Sequence, residues 1–299
     1  MQLSISGKKV AHLAEYAAVR VAVAVLGLFG ERIASGLGSA LGGFIWNVVG
    51  IRRKLVIESL QKSFPQAGSD ELNRLGHKCY RNLGAVFVEI FRIHRLSNKE
   101  LAEKVVFRNR EILEDALAEG RGVVNVAFHY GNWELMGARA AREGWPLDVI
   151  ARPQTNPLFN SYVNAKRESN GMRLVHVRGS SGRIAKALRG GRIVTFLADQ
   201  DAHQVGVFVP FLGRQASTPI GPALFTWKIG SPMVISLMLP LGDGRWEVVF
   251  ERVPRPESED RDEFIRELTE YYTRHLEQQV RKAPEHWFWP HKRWKTRQR

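Results

Sequence analysis

The 299-residue sequence contains one cysteine, Cys79, so an internal disulfide cannot form. Cys79 also lacks the closely spaced Cys or His partners of a zinc site, and it reads as a buried or incidental thiol in a reducing compartment. Low-complexity tracts and internal repeats are absent as well, which argues against a disordered or solenoid chain. Acidic residues are scarce, with 30 Asp and Glu against 44 Lys and Arg, a formal net charge of +14. Such a surface repels other cations and attracts polyanions: nucleic acid, anionic lipid headgroups or an acidic protein.

The region with least charge lies near the amino terminus. From Tyr16 to Gly50 the sequence is YAAVRVAVAVLGLFGERIASGLGSALGGFIWNVVG, with only Arg20, Glu31 and Arg32 charged. The apolar stretch is too long for a cleavable signal peptide and has no cleavage pattern after a short core. Residues 33 to 51 approach the length that crosses a bilayer, and Gly38 and Gly42 have the small-xxx-small spacing of closely packed helices. Arg52, Arg53 and Lys54 follow like a cytoplasmic positive flank. We therefore expect residues 1–54 to be a membrane-associated helical segment, with buried helices of a soluble core as the alternative. GLGSALGG has the wrong glycine spacing for a dinucleotide-binding turn, and no strand precedes it.

Residues 55–97 read as a helical lead-in, with Ser69 or Asp70 as a helix cap. Over residues 98–253 short apolar runs alternate with helical patterns. GVVNVAF, PLDVIA, RLVHV, RIVTFLA, PMVISLML and RWEVVFERV read as strands. REILEDALAEG, WELMGARAARE, the segment capped by Asn156 with Pro157 in its first turn, SSGRIAKALRGG, and a segment starting at Thr218-Pro219 read as helices. The expected fold is α/β, a central mostly parallel sheet flanked by helices. Residues 254–299 supply a long helix from about Arg261 to Lys282 and a basic tail.

In such a fold the carboxyl ends of the strands carry the chemistry. His129 stands where GVVNVAF ends; Gly131-Asn132 permit a tight turn, and Glu134 falls in the first turn of the next helix. A carboxylate that accepts one ring N–H fixes the tautomer and raises the basicity of the other nitrogen. The spacing thus predicts a general base built from His129 and Glu134, although a His and a Glu at a strand–helix junction are often structural. Arg152 ends the next strand and offers a planar fork of donors for a phosphate or an oxyanion. Asp199 and Asp201 end another. Their i, i+2 spacing admits a magnesium site, but no phosphate-cradling loop or third acidic ligand accompanies them.

Four segments carry a family resemblance: FHYGNWELMGA, ARPQTNPLFNSYVNAKRESNGMRLVHVRG, FLADQDAHQVGVFVPFLGRQASTPIGPALFTWKIGSPMVI and APEHWFWPHKRWKTR. In this order they resemble the late acyltransferases of lipid A biosynthesis, lauroyl and myristoyl transferases of the lysophospholipid acyltransferase superfamily. The resemblance covers nearly the whole chain. It implies His129 as general base and Glu134 as its acidic partner, where most of the superfamily has Asp. It implies Arg152 and Asp199 as substrate-binding residues, with Arg167 and Arg178 as further candidates. It also implies a bacterial inner-membrane enzyme, facing the cytoplasm, that takes fatty acyl chains from acyl carrier protein to an anionic lipid acceptor. No metal or other cofactor, and no nucleic acid, belongs to that reading. Gly131, Asn132 and Trp133 depart from the best-studied transferases, and FHYGNWE is also similar to mycobacterial mannoside acyltransferases, so another glycolipid or an aminolipid is the alternative acceptor. A basic nucleic-acid-binding protein would account for the charge but gives His129 and Glu134 no use. HKRWKTRQR, residues 291–299, contains Trp294 and follows Trp287 and Trp289; it is expected to act as an interfacial anchor, with a solvated tail as the alternative.

Overall fold

Helical periodicity near the amino terminus resolves into four helices. The computed structural model describes residues 5–176 and 179–298. It begins with α1 (Ile5–Leu26) and α2 (Glu31–Phe44), the latter continued by a π-helical turn over Ile45–Val49; α3 (Arg53–Ser63) and α4 (Ser69–Arg92) follow. Gly68 occupies the cap position of α4, so neither Ser69 nor Asp70 caps it. Gly38 and Gly42 let α2 approach a neighbouring helix closely, as their spacing predicts. They face α4, where a Cβ on Gly38 would overlap the Gly84 carbonyl and one on Gly42 the Tyr80 carbonyl. The opposite face of α2 leaves Ile33, Leu37, Leu41 and Phe44 exposed.

Beyond α4 come α5 (Asn98–Lys104), β1 (Val105–Arg108), α6 (Arg110–Ala118), β2 (Val123–Ala127), α7 (Trp133–Arg142) and β3 (Leu147–Ala151). Next are α8 (Pro157–Ser169), β4 (Arg173–His176), α9 (Ser181–Arg189) and β5 (Ile193–Leu197). A hairpin of β6 (Val207–Phe211) and β7 (Arg214–Thr218) leads to α10 (Gly221–Ile229), β8 (Met233–Gly242), β9 (Arg245–Arg252) and α11 (Arg261–Lys282). The main sheet has seven strands in the order β1-β9-β8-β2-β5-β3-β4. Every neighbouring pair in it is parallel except β8 with β9. β2 lies at the centre and all five of its residues are buried, as a continuous apolar run requires when helices cover both faces of a sheet.

The six expected strands and the helices between them form. Strand β1 and the β6–β7 hairpin were not anticipated, and the hairpin claims Ser217 and Thr218. Thr218 ends β7, and α10 starts at Gly221 with a proline in its first turn, so Thr218 is not a helix cap. Asn156 does cap α8, accepting from the Leu158 and Phe159 amides.

The carboxyl-terminal segment folds back as structure. Trp287 and Trp289 are each 1% exposed and so is Arg293, which makes them interior groups and not an interfacial anchor. Arg293 donates to the Ser217 carbonyl and Thr218 Oγ1. Trp294 stacks on Phe211, and the Arg214 guanidinium lies 3.4 Å from its ring centroid. Burial lowers the Arg293 guanidinium to about 10, so it still carries its charge at neutral pH.

Candidate active site

Strand register assembles the site. Ala127 pairs with Leu197 across β2 and β5. Two residues further on, His129 and Asp199 therefore face one another at the carboxyl end of the sheet. The Asp199 carboxylate accepts from the His129 amide at 3.1 Å and contacts His129 Nδ1 at 2.8 Å. It also accepts from Trp287 Nε1 at 2.9 Å. Burial by itself would raise the Asp199 carboxyl; the charge of His129 and the hydrogen bonds from His129 and Trp287 outweigh it and hold the group below its ordinary value. An ionised Asp199 holds the proton on Nδ1, so in the neutral ring it is Nε2 that presents the lone pair.

Glu134 does not fold back onto the imidazole. Both of its oxygens are taken by the Arg167 guanidinium, with Nε at 3.0 Å and a second, shorter contact from an Nη. The reason is geometric: Glu134 lies on α7 and Arg167 on α8, and a planar fork fits a carboxylate better than a single ring nitrogen does. Burial acts to lower the Arg167 pKa, but hydrogen bonding and the charge of Glu134 leave it raised. The expected His129–Glu134 contact is thus replaced by two pairs, His129–Asp199 and Glu134–Arg167.

The turn between them is tightly held. Gly131 has φ 63°, where a Cβ would crowd the Met238 carbonyl and the Trp246 ring. Asn132 is fully buried, caps α7 through the Leu135 amide, and donates to Glu89, which pairs with Lys104 at 2.9 Å. The carboxyl-terminal segment pairs with this turn, with the Gly131 amide donating to the His286 carbonyl and the Phe288 amide to the His129 carbonyl, both at 3.0 Å. Trp133 and Phe288 flank the imidazole at 5.0 and 6.1 Å between ring centroids. His129 Nε2 lies 3.3 Å from the side-chain amide nitrogen of Gln200, a residue the sequence reading passed over between two aspartates.

Arg152 immediately follows β3, is exposed, and has no hydrogen bond or ion pair to the described residues. Arg178 lies outside the described residues. Asp201 is structural: it accepts from the Thr296 amide and hydroxyl, at 3.2 and 2.9 Å, and clamps the carboxyl-terminal segment. Among the described residues no cluster of three or more His, Cys, Asp and Glu is arranged to hold a metal.

A cavity lies between α7 and the sheet, lined by Trp133, Glu134, Arg167, Leu197, Val149, Ile150, Met172, Phe107, Leu113, Trp145 and Phe250 among others. Trp133 connects it to the imidazole, since its ring also packs against His129. Apart from Asn125, Thr195, Ser236 and the Glu134–Arg167 pair, the lining is apolar. The imidazole is thus oriented by Asp199, and Trp133 links it to a mostly apolar slot.

Comparison with known proteins gives the same direction. The chain is 26% identical over 263 residues to the lipid A biosynthesis palmitoleoyltransferase of Escherichia coli strain K12, covering 87% of this chain and 84% of the relative. It is also 26% identical over 265 residues to that organism's lipid A biosynthesis lauroyltransferase, covering 87% and 85%. A phosphatidylinositol mannoside acyltransferase of Mycobacterium tuberculosis is 28% identical over 158 residues, half of each chain. The family model for bacterial lipid A biosynthesis acyltransferases matches residues 5–296. The chain belongs to the bacterial lipid A biosynthesis acyltransferase family, and it is an acyltransferase.

Proposed function

We propose that this acyltransferase moves a fatty acyl chain from an acyl carrier protein thioester to a hydroxyl of a lipid A precursor, at the cytoplasmic face of the inner membrane. The observation that carries the chemistry is the His129–Asp199 pair, whose imidazole packs against Trp133, a residue that also lines a mostly apolar cavity. Asp199 fixes the tautomer, and Nε2 takes the proton of the acceptor hydroxyl. The oxygen attacks the thioester carbonyl, the tetrahedral intermediate collapses, the C–S bond breaks, and the proton passes from Nε2 to sulfur. The cavity holds the acyl chain. Glu134 acts by fixing Arg167 in the cavity lining, and Arg152, exposed and unpaired among the described residues, faces the phosphates of donor or acceptor.

Membrane placement is supported by the exposed apolar side chains of α1 and α2, among them Val10, Leu13, Val21, Ile33 and Leu41. The basic surface serves an anionic bilayer and an acidic carrier protein alike. The mycobacterial relative supports a second reading, in which the acceptor is a different glycolipid.

Purified protein supplied with acyl-carrier-protein thioester and a lipid A precursor is expected to yield one additional acyl ester, read by mass spectrometry. His129→Ala should reduce turnover at least ~100-fold and Asp199→Asn should approach it, the usual contribution of an oriented general base. Full turnover by a folded His129→Ala protein would refute the base assignment. Acylation of a mannoside glycolipid with none of the lipid A precursor would select the second reading.

A further inference from the structure

The oxyanion that forms during acyl transfer needs hydrogen-bond donors, and the nearby groups are mostly committed. The His129 amide donates to Asp199, the Gly131 amide to the His286 carbonyl, and the Leu135 amide to Asn132. The Arg167 guanidinium is bound to Glu134 by two of its nitrogens. One side-chain donor touches the base itself: the Gln200 amide stands 3.3 Å from His129 Nε2 and has no other hydrogen-bond partner among the described residues.

The contact has a direction. With Asp199 on Nδ1, His129 Nε2 is a lone pair, so the Gln200 N–H donates to it. Gln200 therefore occupies the position that an acceptor hydroxyl must take to be deprotonated. The main chain on either side is fixed. Asp199 is held by His129 and Trp287; the Asp201 amide donates to His291 Nε2 at 2.9 Å, and its carboxylate binds Thr296. Only the Gln200 side chain, which is half-buried, is left to rotate. An incoming hydroxyl displaces the amide by a rotamer change that keeps it next to the reacting carbon.

From this juxtaposition we propose that Gln200 is an oxyanion donor: displaced from His129 Nε2 by the acceptor hydroxyl, its N–H turns to the thioester carbonyl oxygen. As the O–H proton moves to Nε2 and the new C–O bond forms, the carbonyl π electrons collect on that oxygen and the Gln200 N–H stabilises them. When the C=O bond re-forms the C–S bond breaks, and the thiolate takes the proton from Nε2. The inference rests on the reading of His129 as the base.

The resting contact separates this role from that of an inert cap. If Gln200 merely covered Nε2, its removal would free the lone pair and leave turnover equal or higher. If it stabilises the oxyanion, removal lowers kcat by about 10²–10³, the usual effect of losing one such donor, with KM little changed. Gln200→Ala removes the amide, and Gln200→Glu keeps its size while replacing the N–H with an acceptor. Both should lose kcat, and slow hydrolysis of the acyl donor by water, measured without acceptor lipid, should fall by the same factor because it passes through the same oxyanion. Melting temperatures verify that the variants fold.

A kcat within threefold of the parent protein in both variants overturns the proposal. So does a loss of acyl transfer with hydrolysis unchanged, since that marks a group that only orients the acceptor. His129→Ala distinguishes the two levels of failure. If it is inactive while the Gln200 variants remain active, the oxyanion role alone is wrong; if it is active, the base assignment itself fails.

Discussion

Two carboxylates compete for His129 along the chain: Glu134, five positions away, and Asp199, seventy positions away. The nearer one is the natural choice when only spacing is known, yet the imidazole takes the farther one because β2 and β5 are neighbours in register. A second histidine of this region, His291, gives a test at the same scale. Burial pushes it down to about 4; Asp199 and Asp201 act to raise it, and His129 and Arg293 to lower it further. Its Nε2 accepts the Asp201 amide, which only the neutral ring can do. An unfolded histidine titrates near 6.5, so between about pH 6.5 and pH 4 the unfolded chain binds the additional proton. The His291 contribution is complete above pH 6.5 and is lost as pH falls toward 4. Denaturant titrations over this range should show a smaller pH dependence for His291→Gln than for the parent protein. Identical slopes would remove His291 from the account.

At the scale of elements, periodicity predicts each helix and strand better than it predicts what the element touches. The small-xxx-small pattern of α2 is legible, but whether its partner is a lipid-embedded helix or α4 is not. Gly38, Gly42 and Gly84 bring the two backbones into contact. Gly84→Val should wedge them apart and cost about 1–3 kcal/mol, as overpacking usually does. Urea unfolding reads this directly, and an unchanged midpoint would mean that the helices part without cost. Strand β7 teaches the opposite lesson. The Ser-Thr-Pro sequence before α10 resembles a helix start, but the hairpin takes its first two residues into a strand.

Over the whole molecule the positive charge and the tryptophans serve different ends. Trp287, Trp289 and Arg293 pack inside, and the exposed apolar surface falls to the helices at the other end of the chain. No single described helix is long and apolar enough to cross a membrane; only α2 with its π-helical turn, taken together with α3 and bent by 96°, meets that length and composition. The outward stripe Ile33, Leu37, Leu41 and Phe44 fits a helix lying in the interface plane. Ile33→Glu with Leu41→Glu should therefore abolish co-sedimentation with anionic phospholipid vesicles while the melting temperature stays put. Equal pelleting of parent and variant would remove α2 from the membrane contact.

The six strands that alternate with helices, the central buried strand and the placing of His129 at a strand end follow from local patterns: apolar runs, caps, glycine and proline at turns. Such signals act within a few residues, so one sequence suffices to read them. The position of Asp199 on the imidazole, of Arg167 on Glu134, of Gln200 over Nε2 and of the tail in the interior depended on which distant segments became neighbours. Sheet order and register settle that choice, and they minimise exposed apolar surface and unpaired polar groups over the entire chain at once.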